Sequence, residues 1–361
     1  MTATLGAWLH DLSPFALRIS GSFGIRWYGL SYALGFFCAW LALRFLHKRG
    51  MALIPRERLT DAVIYAAMGA VVGGRLGYIL FYQPELLWMF EKSPPFWGVL
   101  MLNHGGMASH GGMLGVLVAG ILISRGGRTE SGERVGKIPV LHVFDLYALV
   151  APFGLMLGRI ANFINGELLG KVVALPRQDA PWWAVRFPQE IGSGHDANLR
   201  TPEQDMALDN LIRDYSLPNQ SPGEALELII QKVQSGSTEV AQRLEPLLSA
   251  RHPSQLYQAF AEGIVLGCVL WFIARRAHKP GVVTASFLIC YGLLRIATEL
   301  VRLPDPGVSG FAGLSRGQLL SAGMIVAGCA ILVWVKRSNT QPISGWVKRA
   351  ASDSASADRS A

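Results

Sequence analysis

Hydrophobic residues are gathered along this chain into long blocks and are not scattered among polar positions. Each block holds about twenty residues with few charges, the length that an α-helix needs to cross the hydrocarbon core of a bilayer. Backbone groups in lipid must satisfy their own hydrogen bonds, so we expect every block to be helical. The pattern predicts an all-α integral membrane protein with seven transmembrane helices. These spans one to seven cover residues 27–46, 60–82, 106–124, 140–158, 256–275, 281–301 and 318–335.

The polar stretches between the blocks predict the remaining organisation. Residues 171–250 predict a small head domain between two membrane parts, residues 1–170 and 251–337. Within the head, "TPEQDMALDNLIRDY" predicts a helix capped by Thr201, "SPGEALELIIQKVQ" predicts a second helix, and "WWAVRFP" predicts a short strand. The small polar residues of 338–361 predict a disordered tail. The N-terminus lacks the basic start and the cleavage site of a signal peptide.

Positive charge is concentrated in alternate loops. The chain has 33 lysines and arginines against 25 acidic residues, a net charge of +8. Basic residues follow spans one, three, five and seven, and the positive-inside rule places such loops in the cytoplasm. We therefore expect the N-terminus and the head domain outside and the C-terminus inside. This placement argues against binding to nucleic acid.

Cysteine and histidine positions give no sign of a disulfide or a metal site. The four cysteines all fall within predicted spans and lack metal-ligand spacing: Cys38, Cys268, Cys290 and Cys329. We expect them to be apolar packing residues. A metal site built from His104, His110 and His252 is disfavoured, because no carboxylate or thiolate has ligand spacing with them. The sequence therefore predicts no metal site.

Arginines occur where the spans reach the outer surface. Five of them share this depth: Arg26, Arg75, Arg159, Arg251 and Arg295. Glu299 follows Arg295 by four residues, a helical spacing that allows an ion pair. Intramembrane charges are costly and usually face the interior of the helix bundle. For a single arginine, snorkelling or a structural ion pair is the alternative. A basic pocket at headgroup depth suits an anionic phospholipid, because a guanidinium donates two parallel hydrogen bonds to phosphate.

A glycine-rich stretch opens span three with the sequence "HGGMASHGG". Its glycines would let backbone approach a bulky headgroup. His110 lies about two helical turns inside the outer surface and has a side chain suited to proton transfer near neutral pH. A structural hydrogen bond is the alternative role for His110. In span two, the spacing of Gly69, Gly73 and Gly77 indicates close helix packing.

Several stretches resemble the motifs of one enzyme family. "GRIANFINGELLG" (158–170) is similar to the defining motif of the prolipoprotein diacylglyceryl transferases. "WYGL" (27–30), "GGRLGY" (73–78), "GGMASHGG" (105–112), "RHPSQLYQ" (251–258) and "YGLLRIATELVRLPD" (291–305) resemble its other blocks, in the same order. The resemblance covers nearly all of the predicted membrane part.

The resemblance implies a reaction and its participants. The family moves the diacylglyceryl group of phosphatidylglycerol onto the lipobox cysteine of a bacterial prolipoprotein, giving a thioether and glycerol phosphate. The resemblance also implies an inner-membrane enzyme with a periplasmic head, inner-membrane lipids as surroundings and signal peptides as partners. It implies that no metal or organic cofactor is needed. The implied catalytic residues are His110, Arg159 and Arg251. The residues expected to bind substrate, from motif and depth together, are Tyr28, Arg75, Asn162, Glu167, Gly170 and Arg295.

Two positions depart from the family pattern. Gln258 stands where the family usually has an acid, so a catalytic carboxylate is not expected there, and His104 stands where an aspartate is common. On this reading His110 takes the thiol proton, while Arg159 and Arg251 hold the phosphate. Two other function classes use the same features: a transporter for anionic lipid, for which internal repeats are weak here, and a non-catalytic lipid-binding scaffold.

Overall fold

The structure is a computed structural model that describes residues 6–20, 23–92, 95–101, 106–128, 134–193, 199–216, 218, 221–303 and 315–342. It is mostly helical. The first four helices are α1 (Trp27–Lys48), α2 (Leu59–Tyr82), α3 (Ser109–Ser124) and α4 (Val140–Asn165). Three shorter helices follow, α5 (Pro202–Tyr215), α6 (Pro222–Gln234) and α7 (Thr238–Leu244). The last helices are α8 (Ser254–Gln258), which continues through a π-helical turn (Ala259–Val265) into α9 (Leu266–Ala274), and then α10 (Val282–Glu299) and α11 (Arg316–Arg337).

Six helical stretches in the described residues are long and apolar enough to cross a membrane. They coincide with predicted spans one, two, four, five, six and seven, and a multi-pass membrane protein is therefore confirmed. The third predicted span is shorter than expected, because α3 has only 16 residues. At 1.5 Å per residue it is about 24 Å long, less than the roughly 30 Å of a hydrocarbon core. Residues 106–108, directly before α3, are not helical, and Gly106 has a φ of +83°.

Helices α2 and α3 pack through glycines. A Cβ built on Gly69 would lie 2.4 Å from the carbonyl oxygen of Gly115, and one on Gly73 would lie 2.4 Å from that of Gly111. A Cβ on Gly77 would lie 2.8 Å from the Cα of Gly111. The predicted packing role of the span-two glycines is confirmed. The same contacts correct the interpretation of Gly111. Its lack of a side chain lets α3 approach the backbone of α2, and no lipid headgroup is needed to explain a glycine at this position.

The chain divides into two compact units. The first unit contains Met1–Leu34, Gly154–Leu266 and Ile289–Val326, and the second contains Gly35–Phe153, Gly267–Leu288 and Ala327–Ala361. Several membrane helices, α1 and α4 among them, contribute residues to both units. The predicted domain boundaries stay a prediction. Residues 343–361 of the predicted tail lie outside the described residues.

The predicted head region contains the two helices expected from its sequence. Both α5 and α6 begin with a capping box, in which the N-cap hydroxyl and a side chain three residues later each bond the other's backbone. The N-cap residues are Thr201 and Ser221. The sequence did not locate the third helix, α7. Buried Leu211, Ile229 and Val240, one from each of these helices, belong to one hydrophobic core.

A small sheet corrects the all-α fold class, for which the sequence predicted a single short strand. Its strands are β1 (Trp8–Leu9), β6 (Val172–Ala174), β7 (Val185–Arg186) and β8 (Ala250–Arg251), in the order β1-β7-β8-β6. β7 confirms the strand expected in "WWAVRFP". Two hairpins complete the strands, β2–β3 (Phe15–Ser20 with Phe23–Arg26) and β4–β5 (Gly127–Arg128 with Arg134–Val135). These segments lie outside the apolar helices. Lipid therefore does not require their backbones to be helical.

The sheet contains a fully buried ion pair. Arg251 on β8 donates from Nε to Oε2 of Glu190 at 2.5 Å, and neither side chain has exposed surface. Arg251 Nη1 also donates to the carbonyl oxygen of Gly170 at 3.1 Å. Glu190 accepts from the backbone N–H of Ser249 at 3.2 Å and from the Ser249 hydroxyl. Because each buried charge depends on its partner, the pair fixes β8 against the turn that follows β7.

Replacing Glu190 with Gln is expected to destabilise the sheet. The neutral amide leaves the Arg251 guanidinium buried without a counter-charge, which typically costs about 3–5 kcal/mol. Hydrogen–deuterium exchange of the purified protein should be faster throughout β7 and β8. The matched control is Asp214→Asn, because Asp214 accepts from Arg243 at the same 2.5 Å but both side chains are exposed. Equal exchange in the two variants would contradict a stabilising role for the buried pair.

Candidate functional site

A chain of buried charges links α4, the π-helical turn and α10 in the first unit. Glu262 on the π-helical turn accepts from Nε of Arg159 at 3.0 Å, and its other oxygen lies 3.5 Å from Nη1 of Arg295. Arg295 also contacts Glu299 at 3.1 Å, which confirms the predicted i, i+4 ion pair. Glu299 in turn accepts from Arg302 at 3.3 Å. One carboxylate therefore holds two of the predicted site arginines beside each other.

The network carries one net positive charge when all of its groups are ionised, since it contains three arginines and two glutamates. The Glu262 side chain has no exposed surface, and the Arg159 and Arg295 side chains are 16% and 13% exposed. Charge interactions are strong in such an environment because water screens them little. The arrangement favours a ligand with a single negative charge.

Close backbone packing places Glu262 next to Arg159. A Cβ built on Gly263 would lie 2.4 Å from the Cβ of Met156, so the π-helical turn approaches α4 too closely for any larger residue. Met156 precedes Arg159 by three residues, on the same face of α4. A π-helical turn of this kind is rare and is frequently found at functional sites. The turn and the glycine together bring the carboxylate to the arginine.

Tyr28 and Asn162 form a second contact of the site. The Tyr28 hydroxyl, in the first turn of α1, donates to the Asn162 side-chain oxygen. Asn162 is buried and lies three residues after Arg159 on α4. The Tyr291 hydroxyl on α10 also bonds Arg159. The structure therefore brings together Tyr28, Asn162, Arg159 and Arg295 from three helices.

The loop after α4 holds Glu167 and Gly170. The Glu167 carboxylate accepts from the Asn165 amide at 3.3 Å, and burial raises its pKa above the usual range. Its backbone carbonyl accepts from the Gln255 side chain at 2.5 Å. A Cβ on Gly170 would lie 2.2 Å from the His252 carbonyl oxygen, so only glycine fits there. Gly170 also provides the carbonyl that Arg251 binds.

Arg75 and His110 belong to the second unit. The Arg75 guanidinium is buried and donates to the carbonyl oxygens of Gly98, Val99, Met101 and Gly106 at 2.6–3.3 Å. It thereby fixes the segment that leads into α3. His110 lies in the first turn of α3, with its ring against Phe81 and Tyr82, at centroid distances of 5.2 and 6.0 Å. His104 lies outside the described residues.

Sequence reasoning missed four residues of these networks: Glu190, Glu262, Tyr291 and Arg302. Glu262 offered a signal, because a carboxylate within an apolar span is costly and usually functional. Arg302 offered a weaker one, at i+3 from Glu299. Glu190 lies in a polar region where acids are common, and only the fold identifies it as the partner of Arg251.

Comparison with known proteins gives a consistent result. The family model for prolipoprotein diacylglyceryl transferase matches residues 14–334. A phosphatidylglycerol–prolipoprotein diacylglyceryl transferase from Bdellovibrio bacteriovorus is 41% identical over 353 residues, covering 94% of this chain and 97% of that protein. Enzymes of the same name from Rhodospirillum rubrum and Chromobacterium violaceum are 35% and 36% identical, covering 92% and 91% of this chain and 96% and 97% of those proteins. The chain belongs to the prolipoprotein diacylglyceryl transferase family.

Proposed function

We propose that this protein transfers the diacylglyceryl group of phosphatidylglycerol to the lipobox cysteine of prolipoproteins. The thiol sulfur bonds to the glyceryl carbon, the bond from that carbon to the phosphate oxygen breaks, and glycerol phosphate leaves. The observation that carries the proposal is the pair of arginines, Arg159 and Arg295, held on one buried carboxylate in a chain of this family. Their net positive charge and planar donors suit a phosphodiester.

The depth of the arginines supports a lipid headgroup as the ligand. Arg159 lies six residues before the end of α4 and Arg295 four residues before the end of α10. At 1.5 Å per residue these positions are about 9 Å and 6 Å from the helix ends, where headgroups begin. We take α3 as the seventh span, the N-terminus and head as periplasmic, the C-terminus as cytoplasmic and the membrane as the bacterial inner membrane. The alternate basic loops support this orientation.

Each predicted site residue receives a role in the proposed reaction. His110 accepts the proton of the attacking thiol, because the thiolate is the nucleophile. Arg159 and Arg295 bind the phosphate and stabilise the charge on the departing oxygen. Tyr28, Asn162 and Glu167 orient the headgroup, and Gly170 shapes the loop between them and Arg251. A role of Arg251 at the phosphate stays a prediction, since its guanidinium binds Glu190 and Gly170 here.

Arg75 acts indirectly in this scheme. Its four carbonyl contacts hold the segment before α3, and through it the helix that carries His110. Direct contact between Arg75 and the substrate stays a prediction.

The reaction is tested with purified protein in vesicles, phosphatidylglycerol labelled in its headgroup and a lipobox signal peptide. The expected result is release of labelled glycerol phosphate together with a peptide heavier by one diacylglyceryl group. Omission of the peptide, or its replacement by a peptide with Ser at the lipobox cysteine, should prevent the release. Movement of intact lipid between leaflets without release would indicate a transporter, and binding without either would indicate a scaffold.

Replacing Arg159 with Lys is expected to slow turnover by about ten- to a hundred-fold. Lysine keeps the charge, but its ammonium group is a compact charge on a flexible stem. It cannot donate to Glu262 and to the phosphate at the same time in the fixed directions of a guanidinium. The control is Arg44→Lys, because Arg44 stacks on Trp40 in the same kind of helix but away from the site. Both proteins are assayed for release from phosphatidylglycerol. Equal, mild losses would mean that Arg159 is an interfacial anchor and would move the phosphate contact to another arginine.

Replacing His110 with Asn is expected to reduce transfer by at least about a hundred-fold, because Asn cannot take a proton near neutral pH. The control is His278→Asn in the loop before α10, where the ring contacts the Arg276 carbonyl at 2.8 Å. Elution as a single folded species in detergent separates loss of chemistry from loss of fold. Near-normal turnover of a folded His110→Asn protein would exclude His110 as the base.

A further inference from the structure

Gln258 is a buried amide without a hydrogen-bond partner among the described residues. Its side chain is completely buried, and both Oε1 and Nε2 lack a partner. Leaving one such group unpaired is unfavourable, and buried polar groups are paired in more than about 90% of cases. Gln255, one turn earlier, uses its Nε2 to bind the Glu167 carbonyl. The Oε1 of Gln255 lacks a partner as well, so Gln258 differs from Gln255 in that neither of its amide atoms is paired among the described residues.

The position of Gln258 places its amide beside the arginine pair. It is the last residue of α8, four residues before Glu262 on the π-helical turn. The residues between them are π-helical, and in the wider turn of a π-helix residues four apart also lie close to one full turn apart, on the same face. Glu262 contacts Arg159 and Arg295, so the unpaired amide faces the same region as the two guanidinium groups. Gln258 also lies about 6 Å from the start of α8, which is headgroup depth.

The amide limits the chemistry of its partner. A neutral amide offers both a donor and an acceptor, and a hydroxyl group matches both. An ammonium group would require a counter-charge that the amide does not supply, and the net positive network repels it. The headgroup of phosphatidylglycerol carries two hydroxyls on the glycerol next to its phosphate. A phosphate bound by Arg159 and Arg295 would bring those hydroxyls to the side of the site that carries Gln258, one turn from Glu262.

We propose that Gln258 is a specificity-determining residue that hydrogen-bonds a hydroxyl of the phosphatidylglycerol headgroup. The proposal rests on the proposed transferase function. It explains why an amide is buried without a protein partner one turn from Glu262.

The experiment compares two lipids that differ only in the hydroxyls. Phosphatidylglycerol and phosphatidylpropanol with identical acyl chains have the same phosphodiester charge, but the second has no headgroup hydroxyl. Transfer to a lipobox peptide is measured as kcat/KM for each lipid. Wild-type protein is expected to prefer phosphatidylglycerol by about tenfold, the order of one or two lost hydrogen bonds. A wild-type protein that transfers from both lipids equally would overturn the proposal without any variant.

Variants identify the residue responsible for the preference. In Gln258→Met, which keeps the length but not the hydrogen bonds, the preference should fall below about twofold because only the phosphatidylglycerol rate decreases. Gln258→Glu should retain the preference, since a carboxylate accepts from a hydroxyl. Gln255→Met is the matched control. It should slow transfer from both lipids by the same factor, because the Gln255 amide nitrogen binds the Glu167 backbone.

The outcomes separate this proposal from the reaction itself. No transfer from either lipid by the wild-type protein would refute the proposed function. Normal transfer by the wild-type protein with an unchanged lipid preference in Gln258→Met would refute only the role of Gln258. An equal change of preference in the Gln255 variant would also overturn it, since the effect would then belong to the helix as a whole.

Discussion

The placement of one carboxylate, Glu262, decides the arrangement of charge in the first unit. Two guanidinium groups side by side in a poorly screened environment repel each other strongly. Glu262 contacts both Arg159 and Arg295, and its attraction to each of them offsets the repulsion between the two guanidinium groups. Its position depends on the π-helical turn and on the close contact of Gly263 with Met156. A change in this turn would therefore separate the arginines even though neither residue is altered.

The ion pair of Arg251 with Glu190 is a second case in which a buried arginine is neutralised by a glutamate from another segment. Arg251 has no exposed surface, so its charge is tolerated only because Glu190 and the Gly170 carbonyl surround it. Glu190 lies in the predicted head region, and Gly170 lies in the loop after α4. The head is thus tied by an ion pair to the segment that leads into α8. This gives residues 171–250 a structural function that their composition did not indicate.

Sequence reasoning predicted the helices well because lipid leaves the backbone few options. Six predicted spans contain helices of the required length, and Thr201 caps α5 as its sequence indicated. The short α3 was missed because residues 106–108 are apolar enough to extend a hydropathy block but do not belong to the helix. The sheet was missed because its strands have two or three residues and come from distant parts of the chain.

The arginines of the site were predicted, but Glu262 and Glu190, the acids that bind Arg159 and Arg251, were not. Arginines at a common depth are visible in one dimension, and Arg295–Glu299 follows from helical spacing. The partnership of Arg159 with Glu262 joins residues 103 positions apart, and that of Arg251 with Glu190 joins residues 61 apart. Neither follows from local pattern, because only tertiary packing decides which acid reaches which arginine. Gly111 was misread for a similar reason, since its partner is the backbone of α2.

The fixed charge of the network also bears on how the proposed reaction is accelerated. A phosphodiester carries one negative charge, whereas the departing phosphate monoester carries roughly −1.5 to −2 near neutral pH. Charge therefore grows on the phosphate as the bond to the glyceryl carbon breaks. In the proposed reaction, arginines held by Glu262 and Glu299 would attract the growing charge more strongly than the substrate's charge, without first having to be brought together. The two glutamates reduce the net charge of the network to +1, which limits how tightly the lipid itself is bound. The interaction of the arginines would then be strongest in the transition state, where the phosphate charge is larger.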